Sequence, residues 1–209
     1  MAPTFPSTTA PFVLAGLLAL AAAPSVAQSQ PSPKAQTVAS GLQNPWAVAF
    51  LPDGRFLVTE RPGRLRVVNA DGQVQPAVQG LPEVAAGGQG GLLDVITDSA
   101  FASNRTIYFC FSEPGKGTTN STALARARLS DDLKQLQDMK VIFSQQPKVS
   151  STAHFGCRIV ERQVNGKPDG TLLLTLGERF SRRDDAQTLD NHHGKIVRVG
   201  KDGSVPKDN

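Results

Sequence analysis

The chain has 209 residues, 39% of them hydrophobic and 19% charged, a balance that suits a folded protein rather than a disordered one. Its formal net charge of +4 is spread in small groups such as Arg61, Arg64 and Arg66, with no basic stripe interleaved with aromatics, so nucleic-acid binding is not expected. Cys110 and Cys157 allow one disulfide in an oxidising compartment and equally fit free thiols in a core. Thiol catalysis is not expected, because Cys157 falls in strand territory rather than at a helix N-terminus.

In chain order, residues 12–23 form an apolar run too short to span a bilayer, followed by the small residues Ser25-Val26-Ala27. No Lys or Arg precedes the run. Residues 1–27 therefore read as a secretory signal peptide, which predicts a periplasmic or secreted mature chain without a membrane span. Residues 28–38 form a polar, proline-containing leader without periodicity, and residues 39–209 carry the folded unit.

The first cycle of that unit has an apolar strand over 47–51, a turn at Pro52-Asp53-Gly54, a strand over 55–60, a turn at Arg61-Pro62-Gly63 and a strand over 65–68. A second cycle opens at Gly87-Gly88-Gln89-Gly90-Gly91-Leu92-Leu93-Asp94, with further strands over 106–111, 121–129 and 140–144. The alanine-rich 121–129 stretch would also tolerate a helix. The third cycle has strands over 157–160, 171–176 and 194–199, with its turn expected at Lys167-Pro168-Asp169-Gly170.

Short strands separated by Asp-Gly and Pro-Gly signals, with variable loops between cycles, describe an all-β protein of the β-propeller kind rather than a fixed-period solenoid. Three blade-like units do not close a ring, since propellers have about four to eight. The chain is therefore expected to be the N-terminal portion of a longer protein. A three-cycle sandwich or a pair of copies fits less well.

The chemistry concentrates in the third cycle. Ala153-His154-Phe155-Gly156-Cys157-Arg158 places an imidazole at the head of a strand, and Gly177-Glu178 a carboxylate at the end of the next. A base needs a partner that fixes its tautomer, and two strand ends of one sheet can supply both. A histidine that only satisfies a turn backbone is the competing reading. His192 and His193 lack Cys or acidic neighbours at metal-binding spacing, and no helix-forming run follows the glycines around Gln89, so neither a metal pair nor a nucleotide loop is expected. Trp46 and Arg158 read as structural, and Arg182 and Arg183 as surface charge.

Several stretches in order resemble the soluble pyrroloquinoline-quinone (PQQ)-dependent sugar dehydrogenases, the glucose/sorbosone and aldose sugar dehydrogenase group. They are Gly41-Leu42-Gln43-Asn44-Pro45-Trp46, Glu60-Arg61-Pro62-Gly63-Arg64-Leu65, Gly88-Gln89-Gly90-Gly91-Leu92-Leu93-Asp94, His154-Phe155-Gly156-Cys157-Arg158, Gly177-Glu178-Arg179-Phe180, Ala186-Gln187, Gly194-Lys195, and 203–209. The resemblance implies a six-bladed propeller of which about the first three blades are present. It also implies oxidation of the anomeric hydroxyl of aldose sugars to the lactone, with hydride passing to PQQ. His154 would be the general base, Glu178 the carboxylate that holds it, Gln89 a substrate-binding amide and Arg182 a cofactor contact. Calcium and the cations that clamp the cofactor carboxylates belong to the family's later blades, so their ligands are expected beyond residue 209. The particular sugar and the electron acceptor stay unassigned. Two other propeller functions compete. A non-catalytic module for carbohydrate or protein fits the blade pattern equally, whereas a lactonase would need a central set of carboxylates and Asn that the sequence does not show.

Overall fold

The computed structural model describes residues 32–209, so the predicted signal peptide lies outside the described residues. Among the described residues eleven strands form three antiparallel sheets. The first, in the order β1-β2-β3-β4, comprises Pro45–Phe50, Phe56–Glu60, Arg64–Val68 and Val74–Ala77. The second, β5-β6-β7-β8, comprises Leu92–Thr97, Thr106–Pro114, Asn120–Leu129 and Leu136–Ser144, with one helical turn, α1 (Phe101–Asn104), between its first two strands. The third, β11-β10-β9, comprises Gly156–Val164 (β9), Lys167–Leu176 (β10) and Ile196–Gly200 (β11). The first strands pack side by side, β1 on β5 and β5 on β9.

Strand alternation assigns each face. In β6, Ile107, Phe109 and Phe111 point into the core shared with the first sheet, while Tyr108 and Cys110 point towards the third. In β7 the alanines Ala123, Ala125 and Ala127 face the first sheet and Leu124 the third. The small column leaves room for Leu57, Leu65 and Val67 opposite, so the alanine-rich stretch is a strand because both of its faces are buried. Cys110 and Cys157 are joined as a disulfide between the second and third sheets, with a Cα–Cα distance of 5.9 Å.

Three details depart from expectation. The first sheet has a fourth strand, β4, whose Pro76 is tolerated because the strand lies at the sheet edge. Strand β8 begins at Leu136 rather than 140, across a register shift; Asp138 there has φ 51°, and the irregularity breaks the two-residue period. The expected turn at Lys167-Pro168-Asp169-Gly170 is instead part of β10. The chain turns two residues earlier at Asn165-Gly166, where φ values of 52° and 73° are the paired positive angles of a two-residue hairpin loop. The Asp-Gly pair serves the register shift between Pro168 and Leu172, with Gly170 at φ 83°.

The second and third sheets are latched at the ends of β5 and β11. Lys201 donates to Asp98 at 2.8 Å and also pairs with Glu161, and Tyr108 donates to Asp98 at 2.9 Å. Burial alone would raise the Asp98 carboxyl, but Lys201, the Ala100 N–H, Asn104 and Tyr108 outweigh it and bring it down to about 2. A carboxyl depressed on folding stabilises above its unfolded value and loses that contribution as pH falls through the folded one. Asp98→Asn is therefore expected to lower the urea midpoint at neutral pH. The gap from wild type should close as the pH is taken from about 4 towards 2, with the ordinary carboxylate range as reference.

Candidate active site

One end of the sheets gathers the starts of β1, β5 and β9 and the ends of β2 and β10. There a concavity of about 290 Å³ is lined by Trp46, Arg61, Gln89, Leu93, His154, Phe155 and Gly156. His154 sits just before β9, and Glu178 two residues past β10, so antiparallel pairing brings them to the same end. The His154 Nδ1 is hydrogen-bonded to Glu178 Oε1. The ring of Phe180 meets the imidazole edge-on, with centroids 5.3 Å apart.

Burial raises the Glu178 carboxyl, but the His154 hydrogen bond and backbone N–H groups more than offset it, so its pKa lies below the usual glutamate range. An ionised Glu178 only accepts, so Nδ1 must be the protonated nitrogen of the neutral ring and Nε2 carries the lone pair. Among the described residues Nε2 has no hydrogen-bond partner, and the side chain is 40% exposed. The arrangement can take a proton from a ligand in the concavity, the carboxylate stabilising the imidazolium that results.

The His154 backbone is held on a left-handed path at φ 47°, and Cys157, Arg179 and Phe180 are also left-handed at 81°, 61° and 65°. Each such non-glycine residue costs on the order of 1–3 kcal/mol and persists only where its surroundings over-determine it. Two contacts do so at His154. Its N–H donates to Gln89 Oε1 at 2.8 Å, and its carbonyl accepts from the Arg179 N–H at 3.3 Å. Gly177 is favoured as glycine for a related reason, since a Cβ there would lie 1.8 Å from the His154 carbonyl oxygen unless the backbone shifts.

Gln89, expected as a substrate-binding amide, already has its oxygen engaged by the His154 N–H, so it meets a ligand chiefly through its NH2. Arg182 is outside the concavity lining and pairs with Asp185 at 2.7 Å. His193 is fully buried between Asp185 and the Pro147 carbonyl, at 2.9 and 3.1 Å, and His192 Nδ1 accepts from the Gln146 N–H. Among the described residues no three His, Cys, Asp or Glu side chains cluster as a cation site. Trp46, expected to be packing, lines the concavity, and the Arg158 guanidinium lies 5.0 Å from its ring centroid while bonding Asp94 at 2.9 Å.

Arg61 and Arg179 went unassigned as site residues. Arg61 reaches the concavity with one N–H on the Gly88 carbonyl and, among the described residues, no carboxylate partner. Its position in Glu60-Arg61-Pro62-Gly63, a turn at the end of β2, was the available signal. For Arg179 the available signal was its place beside Glu178 in Gly177-Glu178-Arg179-Phe180, but its burial had none, because a surface arginine and a buried one look alike in a loop sequence.

Residues 42–209 match the family model for glucose/sorbosone dehydrogenase. The chain belongs to that family. Aldose sugar dehydrogenase YliI of Escherichia coli (strain K12) is 44% identical over 169 residues, covering 80% of this chain and 44% of that protein. The apo crystal structure of the soluble aldose sugar dehydrogenase from Escherichia coli superposes with a TM-score of 0.77 at 41% identity, over 83% of this chain and 49% of that one. The PQQ-bound aldose sugar dehydrogenase of Streptomyces coelicolor gives 0.70 at 28% identity, over 83% and 49%. The fold is thus the quinoprotein glucose dehydrogenase type of propeller, and the three sheets are three of its blades. The chain spans about half the length of these glucose/sorbosone dehydrogenase relatives. Among the described residues no helix is long and apolar enough to cross a membrane.

Gly177→Ala is expected to be folded but less stable by roughly 1–3 kcal/mol, because the added methyl meets backbone that must move. Urea unfolding with far-UV detection measures the difference.

Proposed function

We propose that the protein oxidises the anomeric hydroxyl of aldose sugars to the lactone, with PQQ as the hydride acceptor and His154 as the general base. The observation that carries the proposal is the His154–Glu178 bond, which leaves an open Nε2 facing a concavity beside the Gln89 amide. A sugar hydroxyl holds its proton too tightly at neutral pH for hydride to leave unaided, and a neutral imidazole is a base poised near that pH. His154 Nε2 takes the hydroxyl proton as the C1–H bond breaks and C1=O forms. Glu178 keeps the ring in the productive tautomer and stabilises the imidazolium. The Gln89 NH2 donates to a sugar oxygen and fixes C1 near the base.

PQQ, when bound, supplies the electrophilic quinone carbon that accepts the hydride. The concavity suits a flat polycarboxylate, since Trp46 offers an aromatic face and Arg61 a guanidinium beside no carboxylate among the described residues. These two would hold the cofactor from this chain. Arg182 as a cofactor contact rests on the resemblance alone, its guanidinium being engaged by Asp185. Calcium is proposed from the family; among the described residues no three His, Cys, Asp or Glu side chains cluster to hold it. Export to the periplasm is proposed from residues 1–27, and the Cys110–Cys157 disulfide fits an oxidising compartment.

The test uses the full-length gene product reconstituted with PQQ and calcium, followed by dye-linked oxidation of a panel of aldoses. Wild type should turn over, and His154→Gln should lower kcat by about 10²–10⁴-fold, the usual worth of a general base. Glu178→Gln should give a smaller loss. A folded wild type inert on every aldose would leave the carbohydrate-binding module in its place.

A further inference from the structure

Arg179 is a side chain the proposed chemistry does not touch, yet it stands first by size among the fully buried side chains of the described residues. Among the described residues it has no carboxylate partner. Its guanidinium instead donates to four oxygens. Nε reaches the Ala153 carbonyl at 3.1 Å, Nη1 the Asn120 carbonyl at 2.9 Å, and Nη2 both Asn120 Oδ1 and the Ser151 carbonyl at 2.6 Å. Its own backbone closes the same loop, since the Arg179 N–H donates to the His154 carbonyl and the Ser151 hydroxyl to the Arg179 carbonyl at 2.9 Å. The guanidinium carbon stands 3.9 Å from the centre of the Phe155 ring. That ring in turn lies so close to Gly90 that a Cβ there would be 2.8 Å away. One planar fork thus underlies the residue before His154, the residue after it, and the glycine beside Gln89.

Burying a lone charge is costly, and its presence calls for a role that a neutral residue could not fill. Burial pushes the Arg179 guanidinium down to about 10, so it stays charged at neutral pH. Only a rigid fork of N–H donors can hold three carbonyls from two other segments at fixed spacing, and a lysine ammonium is a point charge on a flexible stem.

We propose that Arg179 is the positioning residue of the His154–Glu178 pair, holding the left-handed His154 loop so that Nδ1 faces the carboxylate and Nε2 the concavity. The proposal rests on the reading of His154 as the base, but its test does not.

The full-length protein is labelled with ¹⁵N-histidine, and the His154 signals are identified by their loss in His154→Gln. In wild type the neutral ring should be held almost wholly as the Nδ1-protonated tautomer. In Arg179→Lys the other tautomer should become clearly populated. In the reconstituted protein, kcat should fall about 10–100-fold, the scale of a misplacement near 1 Å, with KM within about twofold and the acid limb of the pH–rate profile displaced. Should Arg179→Lys fail to fold, Asn120→Ala decides, since it removes one acceptor and keeps the guanidinium; the same changes should appear, only smaller. A folded variant with wild-type tautomer and pH profile overturns the proposal, and so does a loss of kcat without a tautomer change. The tautomer measurement needs neither cofactor nor turnover, so a protein inert on sugars would count against the proposed reaction and leave Arg179 to be judged separately.

Discussion

The seam between the second and third sheets is the constraint on which the site depends. Gln89 belongs to the approach to β5, while His154 and Glu178 belong to β9 and β10, so their relation is set by how two separate sheets pack. Asp94 is buried at that seam and accepts from the Ile159 N–H at 2.8 Å as well as from Arg158, fixing β9 against β5 near the site. Burial raises the Asp94 carboxyl despite those donors, so the joint carries an electrostatic cost that its hydrogen bonds only partly offset. At the far end Asp98, Lys201 and Glu161 close the seam again. Between them Tyr108, Leu124, Ile159, Leu172 and Leu174 form a buried, largely apolar interior.

Much of this was legible in the residues. The ten-residue rhythm of apolar runs and Asp-Gly or Pro-Gly turns reports strands directly, because alternation and positive-φ glycines are local properties. His154 and Glu178 could be paired because each lies at an identifiable strand end. Where local signals conflict, the stronger geometry wins. Asn165-Gly166 makes the hairpin and leaves Asp169-Gly170 to a register shift, since two consecutive left-handed residues match the twist of adjoining strands. Strand β4 and the start of β8 were hidden by polar residues, a proline and an irregular φ, all tolerated at edges.

What the residues could not report is which donors and acceptors are already used. Gln89 reads as a two-way amide until the His154 N–H occupies its oxygen. Trp46 reads as structural and does pack against the core of the second and third sheets, yet it also lines the concavity, and nothing local tells that Arg179 will be buried under two other chain segments. Burial and hydrogen-bond occupancy are tertiary properties, so they surface only once the sheets are assembled. The strained backbone at His154, Arg179 and Phe180 belongs to the same class, with local preference giving way to a network that crosses between blades.

The Cys110–Cys157 link encloses a chain separation of 47 residues, a loop that includes β7, β8 and the whole approach to His154. Closing such a loop removes conformational freedom from the unfolded chain by an amount that grows only slowly with its length, typically worth about 2–4 kcal/mol. Oxidation therefore does more than fasten two sheets. It keeps the segment carrying the imidazole within reach of the second blade even in the unfolded chain. With the two thiols reduced, that register rests on non-covalent contacts alone.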